Sequence, residues 1–559
     1  MERMFSEFNK EKLEQVRTHP YYASVRKKTV ELAEKYMQTE PPVVKFSMIH
    51  LYVTTGNREI FERVHSEYQL RLQCFFLAYV ITEDEKYIEP LADIIWNICD
   101  FESWSIPAHV LEHLPIVRRR RNLDLCSCLL GHRLAEVICY MGDKLPELVS
   151  RRAREEITYR IIDSFADYSE KEFWWYKVTN NWASVCISGV LGTYLCLADE
   201  EKINEQLPRM IAIADHYLDG FEDDGCCVEG YSYWDYGFSY FCIFAKLLCD
   251  YTNGEIDYFK NEKVHKIAMF QQNVLLNEHE CLSFSDCPTT FAPVAWLSHF
   301  LKGIYPDMKL PALPAECPAH GASHLRVVFW TNPDIPLSET KPVSHIFHNA
   351  QWFLYHGNGY AVGAKAGHND EFHNHNDVGS FIISKNGKVT FCDPGVGEYT
   401  KDYYSPNRYN IFLPSARAHS VPIINGEYQV FGRREGGVII EEEKRFKFYI
   451  HNGYVIDSLR SATRDIECLE DGVRITDEFE FTEMPTSLAE RFVSLLPIEV
   501  GEGRLTCGDS TLYFDKDAFL VTVSSEEAPR KGGKSETVYY ADLTLKTMAM
   551  SIKTVVEIK

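Results

Sequence analysis

Apolar residues recur at helical spacing through about the first three hundred positions. In "KYIEPLADIIWNI", Tyr87, Leu91, Ile94 and Ile98 fall on one face. In "REEITYRIIDSF", Ile157, Ile161 and Phe165 do the same. Such stripes bury one side of a helix against its neighbours. Short breakers divide the segments: "TGN" from Thr55, "TED" from Thr82 and "MGDKLPE" from Met141. Many amphipathic helices joined by short turns, with no fixed repeat length, predict paired helices closed into an (α/α) toroid, not a regular solenoid.

The period changes after "YPDMKLPALPAECPAHG", Tyr305 to Gly321, where four prolines stop helices and read as a linker. Beyond it, alternation with period two takes over. "LRVVFWT", "QWFLYHGNGYAVGAK", "VRITDEFEFT", "AFLVTVS" and "DLTLKTMAMSIK" read as strands between Gly, Asn and Asp turns. Many short strands predict an antiparallel β-sandwich. The expected fold is multidomain α and β: a helical toroid over 1–305, a linker and first β segment over 306–345, and a β-sandwich over 346–559.

Composition narrows the function. The 559 residues, 45% apolar and 13% aromatic, suit two or three well-buried domains, and the aromatic surplus suits sugar stacking. A formal net charge of −23 argues against nucleic acid and anionic membranes as partners. The start, "MERMFSEFNKEKLEQV", has charges where a signal peptide needs an apolar core. The 17 cysteines are scattered as "CSC" and "CC" without zinc-ribbon spacing, which reads as reduced thiols in a cytoplasmic protein.

Candidate chemistry concentrates in "HNDEFHNHNDVGSFIISKNGKVTFCDPG", His368 to Gly395. Strand, Asn-Gly turn and strand bring His375 and Asp393 side by side. His419, in "ARAHSVPIING", precedes a later strand that can neighbour them. Two imidazoles and a carboxylate suit zinc, or another divalent metal, with a fourth position open. His373, two residues before His375, shares its face on an extended segment and can meet substrate.

Two further stretches stand out. In "VTNNWASVCISGVLG", Asn180 and Asn181 open a helix. One Asn suffices as a cap, so the pair with Trp182 is a candidate for holding a carboxylate and stacking a sugar. In "DDGCCVEGYSYWDYGFSYF", Tyr231, Tyr233, Tyr236 and Tyr240 sit with Trp234 and Glu229 among glycines, a better recipe for a pocket rim than for a core. The run Arg118 to Arg121 is either a local positive patch for an anionic substrate or a solvated face.

Together, "NNW", "EGYSYWDYG", "FSDCP", "HNHNDVGSF", "CDPG" and "RYNIFLPSARAHSVPIINGEYQ" resemble, in order and over most of the chain, the heparinase II/III-like polysaccharide lyases. The resemblance implies a toroid followed by a β-sandwich, and β-elimination on uronic-acid glycans: heparan, hyaluronan, chondroitin or alginate fragments. By motif it makes His375, Asp393 and His419 the zinc ligands, puts His373 near the uronate, and places Asn181 at the substrate carboxylate. It makes Tyr233 the acid/base, with Tyr236 second. "HS" stands at His419-Ser420 where many relatives have "HN".

In such a reaction, donors that neutralise the uronate ease loss of the C5 proton. Asn180, Asn181, His373 and Arg408 are candidates, while Tyr233 moves protons and Trp182, Trp234 and Glu229 bind sugar. Zinc is expected to organise the loop and orient His373. Rival readings are a metallo-hydrolase, a glycoside hydrolase with paired carboxylates, and a non-catalytic carbohydrate-binding protein. Oligomeric state is open.

Overall fold

Helices begin where the chain supplies capping side chains. Asp124 accepts from Ser127 N while the Ser127 hydroxyl accepts from Asp124 N, a reciprocal box that starts Leu125–Met141. Asn180 Oδ1 accepts from Trp182 N and starts Asn181–Leu197, and Asp199 does the same for Glu200–Asp219. Gly56 and Glu83, both at positive φ, end Phe46–Thr55 and Glu59–Thr82 at the predicted breakers.

The computed structural model describes residues 8–110, 113–290, 292–319, 323–338, 342–434 and 436–559. Residues 1–7 of the charged start, and 320–321 of the proline-rich stretch, lie outside the described residues. No described helix is long and apolar enough to cross a membrane. Contacts divide the chain into two units. One runs to Gly220 and adds Asp235–Val264 and Val294–Ser338; the other holds Phe221–Trp234, His265–Pro293 and the described chain beyond Ser338.

The first unit is helical. Leu91, Ile94 and Ile98 are buried as their spacing predicts, and so are Ile157, Ile161 and Phe165. The second of these stretches is not one plain helix: a π turn at Thr158–Ile162 separates Glu147–Ile157 from Asp163–Asp167. Leu125–Met141 packs on Asn181–Leu197. A Cβ at Gly189 would lie 2.5 Å from the Cys128 carbonyl oxygen, so only glycine permits that approach.

The arginine run is engaged within this unit. Arg119 pairs with Glu102, Arg120 with Glu156 and Arg121 with Asp167, while Arg118 lies 3.8 Å over the Tyr168 ring. "LRVVFWT" is not a strand. Leu325–Phe329 is a short buried helix capped by the His324 ring, and its Arg326 donates to Glu136 at 2.6 Å.

Among the described residues, the second unit holds three antiparallel sheets. The five-stranded sheet runs His345–Phe347, Trp352–His356, Tyr360–Lys365, Phe381–Lys385 and Lys388–Phe391. Its last hairpin turns on Asn386 and Gly387, both at positive φ. An eight-stranded sheet is centred on Leu459–Cys468, Val473–Phe481 and Ser551–Ile558, and a four-stranded sheet on Lys534–Leu545 and Leu488–Ser494. "DLTLKTMAMSIK" spans a turn between two strands, ending Lys534–Leu545 and opening Ser551–Ile558. Phe353, Phe381, Phe391, Phe446 and Phe492 fill the core. Arg464 is buried there as well, donating to Asp477 and Glu490 and to the Gly379 and Ser420 carbonyls, so no charge is left unpaired.

Candidate active site

Three segments of the second unit converge through backbone contacts. Gly230, at φ 96°, lets the Cys227–Gly230 turn approach Phe284, whose carbonyl oxygen would lie 2.8 Å from an added Cβ. Ser232 donates to the Asp286 carbonyl and Ser285 to that of Val228. Ser283 donates to the Asp393 carbonyl, and Val396 N donates to that of Cys287. The turns around Glu229, Asp286 and Asp393 are therefore fixed to one another before any side-chain chemistry begins.

The loop 369–380 is pinned just as closely. Asp377 N donates to Asn369 Oδ1, Asn376 N to the Pro414 carbonyl and Val378 N to Gln429 Oε1. Lys365 donates to Asp377 Oδ1 at 2.7 Å. His373 sits at φ 57°, a left-handed conformation uncommon outside glycine, and held here by the loop.

Asp286 is the hub. Its Oδ2 accepts from His373 Nδ1 at 2.7 Å. Its Oδ1 accepts from His375 Nε2 at 3.0 Å, Tyr403 Oη at 2.6 Å and Arg408 Nη2 at 2.9 Å. Burial alone would raise this carboxyl, but the two histidines and the Arg408 charge outweigh it and hold it well below the usual carboxylate range. Arg408 also donates to the Asn374 and Tyr403 carbonyls. It braces the protein's own groups. Asp286 lies in the "FSDCP" motif, yet nothing in its local spacing marks it as a site residue; its partners come from beyond position 370.

His373 is the less buried of the two histidines on Asp286. Its Nδ1 is committed to Asp286, and its Nε2 lies 3.7 Å from Glu229 Oε2. The Tyr233 ring, in the first turn of Tyr231–Tyr251, stacks on it at a centroid distance of 4.0 Å and an angle of 25°. Tyr233 Oη lies 2.9 Å from Tyr399 Oη, and the exposed Tyr404 ring lies edge-on to His373 at 6.4 Å. Burial, with Tyr399 and Asp286 adding to it, pushes the Tyr233 phenol well above its usual range. Burial does the same to Tyr399. Both phenols are thus neutral proton donors. Tyr399, Tyr403 and Tyr404 were missed by motif reading.

Behind this surface lies the predicted His375, Asp393 and His419 cluster, fully buried, with one ligand atom from each within 4.8 Å of the others. His375 Nε2 donates to Asp286 and His419 Nε2 to the Leu413 carbonyl at 3.0 Å. Gly395 N donates to Asp393 Oδ1. Each residue is thereby oriented by its outer atom. The inner atoms His375 Nδ1, Asp393 Oδ2 and His419 Nδ1 are buried without a hydrogen-bond partner, although Asp393 Oδ2 and His419 Nδ1 approach to 3.1 Å. Two imidazole nitrogens and a carboxylate oxygen converging in a buried cluster fit a divalent cation, whose charge would take the place of a proton between Asp393 and His419.

Other predicted residues sit differently. Glu229 is buried, and its Oε2 has no hydrogen-bond partner, the nearest base being His373 Nε2 at 3.7 Å. Burial pushes this carboxyl up to about 7. Trp234 is wholly buried and donates from Nε1 to the Ile267 carbonyl, so it anchors the helix and offers no face to a sugar. Asn180, Asn181, Trp182 and Tyr236 belong to the helical unit. There Asn180 is a cap, Asn181 is buried, Trp182 packs on His109 and Trp174, and Tyr236 is 36% exposed beside Tyr240.

No family model and no curated protein matches this chain. Solved structures do. Heparinase III aligns at TM-score 0.63 and 14% identity, covering 100% of this chain and 93% of its own. The fold is that of heparinase III. A heparan sulfate lyase from Pedobacter heparinus aligns at TM-score 0.61 and 13% identity over 100% of this chain and 92% of its own. The chondroitin AC lyase of Streptomyces coelicolor A3, solved with chondroitin sulphate, aligns at 0.58 and 12% identity over 100% and 81%. The heparinase III-like fold thus spans both the helical and the β parts expected from the sequence, as toroid and β-sandwich.

Proposed function

We propose that this protein is a lyase that cleaves uronic-acid-containing glycans by β-elimination and leaves a 4,5-unsaturated uronide. The observation that carries the reading is the Tyr233–His373–Asp286 arrangement: a neutral phenol stacked on an imidazole whose Nδ1 is committed to a carboxylate and whose Nε2 is free. A neutral phenol is suited to protonating the departing O4, and the bare Nε2 to receiving the C5 proton. Each such transfer contributes about 10²–10⁴-fold. A shared fold with proteins named as heparan sulfate and chondroitin lyases supports the same class. The assignment of Asn181 to the substrate carboxylate rests on motif resemblance.

Zinc is the proposed occupant of the His375, Asp393 and His419 cluster, where a bound cation would supply a fixed positive charge. Elimination needs no water nucleophile. The protein's own part is structural: His375 Nε2 and His373 Nδ1 share Asp286, so the residues that hold the cation also hold the His373 ring in place. The seventeen free thiols favour the cytoplasm.

A panel of hyaluronan, chondroitin, heparosan and alginate oligosaccharides, read by mass spectrometry, tests the reading. Product pairs whose masses sum to that of the substrate, with no water added, are expected for at least one. Products that have gained water would replace the lyase by a hydrolase.

A further inference from the structure

Leu125–Met141 and Asn181–Leu197 pack against each other in the helical unit, and cysteines meet across that contact twice. Near the C-terminal ends of the two helices, Cys139 faces Cys196. The protonated Cys139 thiol donates to the Cys196 carbonyl at 3.3 Å, and the two sulfurs share a hydrogen bond. Arg154, on the neighbouring helix Glu147–Ile157, also reaches the Cys139 sulfur. Cys139 is 6% exposed and Cys196 half-buried, so the pair lies just beneath the surface.

The two sulfurs are not equivalent. The hydrogen bond from Cys196 holds the Cys139 thiol below its usual range, and the Arg154 guanidinium helps to outweigh burial. Burial, with Cys139 adding to it, pushes Cys196 well above its own range, so Cys196 keeps its proton and is the donor of the pair. A thiolate beside a guanidinium, with a second thiol in contact and a short path to solvent, is the setting of a redox-reactive cysteine.

Other thiol pairs lack that setting. Cys128 meets Cys186 between the same two helices, and Cys281 meets Cys287 in the second unit. All four are sealed from solvent. Burial pushes Cys186 well above its usual range; the hydrogen bond to Cys287, together with burial, does the same to Cys281. Sealed thiols that keep their protons are inert.

We propose that Cys139 and Cys196 form a redox-modification site, at which hydrogen peroxide makes a reversible disulfide between the two helices. The Cys139 thiolate attacks one peroxide oxygen. The O–O bond breaks, and the hydroxide that leaves takes up the proton Cys139 gave up, as water. The Cys196 sulfur then attacks the sulfenic sulfur of Cys139. The S–O bond breaks, the S–S bond forms, and the hydroxyl leaves with the Cys196 proton as a second water. Two electrons pass from the two sulfurs to the peroxide. Disulfides of this kind in reducing compartments are transient and redox-sensing. Neither cysteine takes part in the elimination steps, and the inference does not depend on the lyase reading.

The test treats the whole folded protein with graded hydrogen peroxide, blocks remaining thiols by alkylation and maps the peptides by mass spectrometry. A Cys139–Cys196 cross-link is expected at a peroxide dose at least about tenfold below that needed for any other cysteine pair, and dithiothreitol is expected to reverse it. In C196S, Cys139 is expected to stop at the sulfenic acid and be trapped by dimedone. In C139S, Cys196 is expected to stay unmodified at the same dose. Both variants are checked for native thermal unfolding, and the wild-type map stands without them. A cross-link that forms first at Cys128–Cys186 or Cys281–Cys287 overturns the inference. So does a wild-type protein in which no Cys139–Cys196 cross-link forms at any dose that leaves it folded, or a folded C196S variant whose Cys139 resists both peroxide and dimedone.

Discussion

His373 and His375 are two residues apart, and both donate to Asp286, one to each oxygen. Their other nitrogens live in different worlds. The His373 ring is partly exposed and stands among Tyr233, Tyr404 and Glu229. His375 turns Nδ1 into a sealed cluster with Asp393 and His419. One carboxylate thus orients the ring proposed to react on one side and a metal-type cluster on the other. The difference teaches that residue type alone does not assign a role: two histidines on one carboxylate differ in burial and in what surrounds their second nitrogen.

Changes on the reacting side should strike turnover and spare the fold. Tyr233→Phe keeps the stacked ring and removes the proton. Turnover of a responsive uronide should fall about 10²–10⁴-fold, with thermal unfolding within a degree or two of wild type. A comparable loss of unfolding temperature would make Tyr233 structural and erase the distinction between the two sides.

Asp286→Asn should strike both sides at once. It leaves the buried Arg408 short of its charge partner and removes an acceptor from a histidine. Breaking such a buried pair costs about 3–5 kcal/mol, readable as a shift in denaturant midpoint. If stability falls but the residual folded enzyme turns over normally, Asp286 serves only the metal side.

Chelation addresses the metal side alone. Removing a cation held at about 100 to 1,000 times its Kd removes about 2.7–4.1 kcal/mol of stability. Purified protein should contain close to one equivalent of divalent metal, and Asp393→Asn should contain far less. Protein with full stability and no metal under all loading conditions would make the His375, Asp393 and His419 cluster a packing feature.

The smallest expected effect concerns Glu229. Its folded-state carboxyl titrates near 7, against an ordinary 4.5. Between those values the folded protein holds a proton that the unfolded chain has lost, so stability falls as pH rises through the window. The stabilisation is complete below about 4.5 and gone above about 7, amounting to at most about 3 kcal/mol. Glu229→Gln should flatten that part of the stability–pH curve relative to wild type. A parallel curve would mean that the carboxyl is not perturbed.

Much of this was legible along the chain, for a physical reason. The Asn-Gly turn in "GSFIISKNGKVTFCDPG" sets the hairpin that brings the neighbourhoods of His375 and Asp393 together, so local rules sufficed. Helix stripes at Leu91, Ile94 and Ile98 were equally plain. Asp286 was not legible as a hub, because its partners His373, His375, Tyr403 and Arg408 lie 87 to 122 positions away. Tyr399 reaches Tyr233 across 166 positions in a stretch without regular structure. "LRVVFWT" misled because a short apolar run buried on several sides shows no helical period, and its cap is a histidine ring, not a Ser, Thr, Asp or Asn side chain. Trp234 misled for the opposite reason: a rim-like composition hid a wholly buried anchor.

The most direct measurement follows the conjugated double bond itself. Metal-loaded wild type and Tyr233→Phe should be given the best substrate of the panel while ultraviolet absorbance of the unsaturated uronide is recorded. A steady rise with wild type, falling at least about 10²-fold in the folded variant, is the predicted result. New reducing ends without that absorbance, or an equal rise from both proteins, would contradict the account.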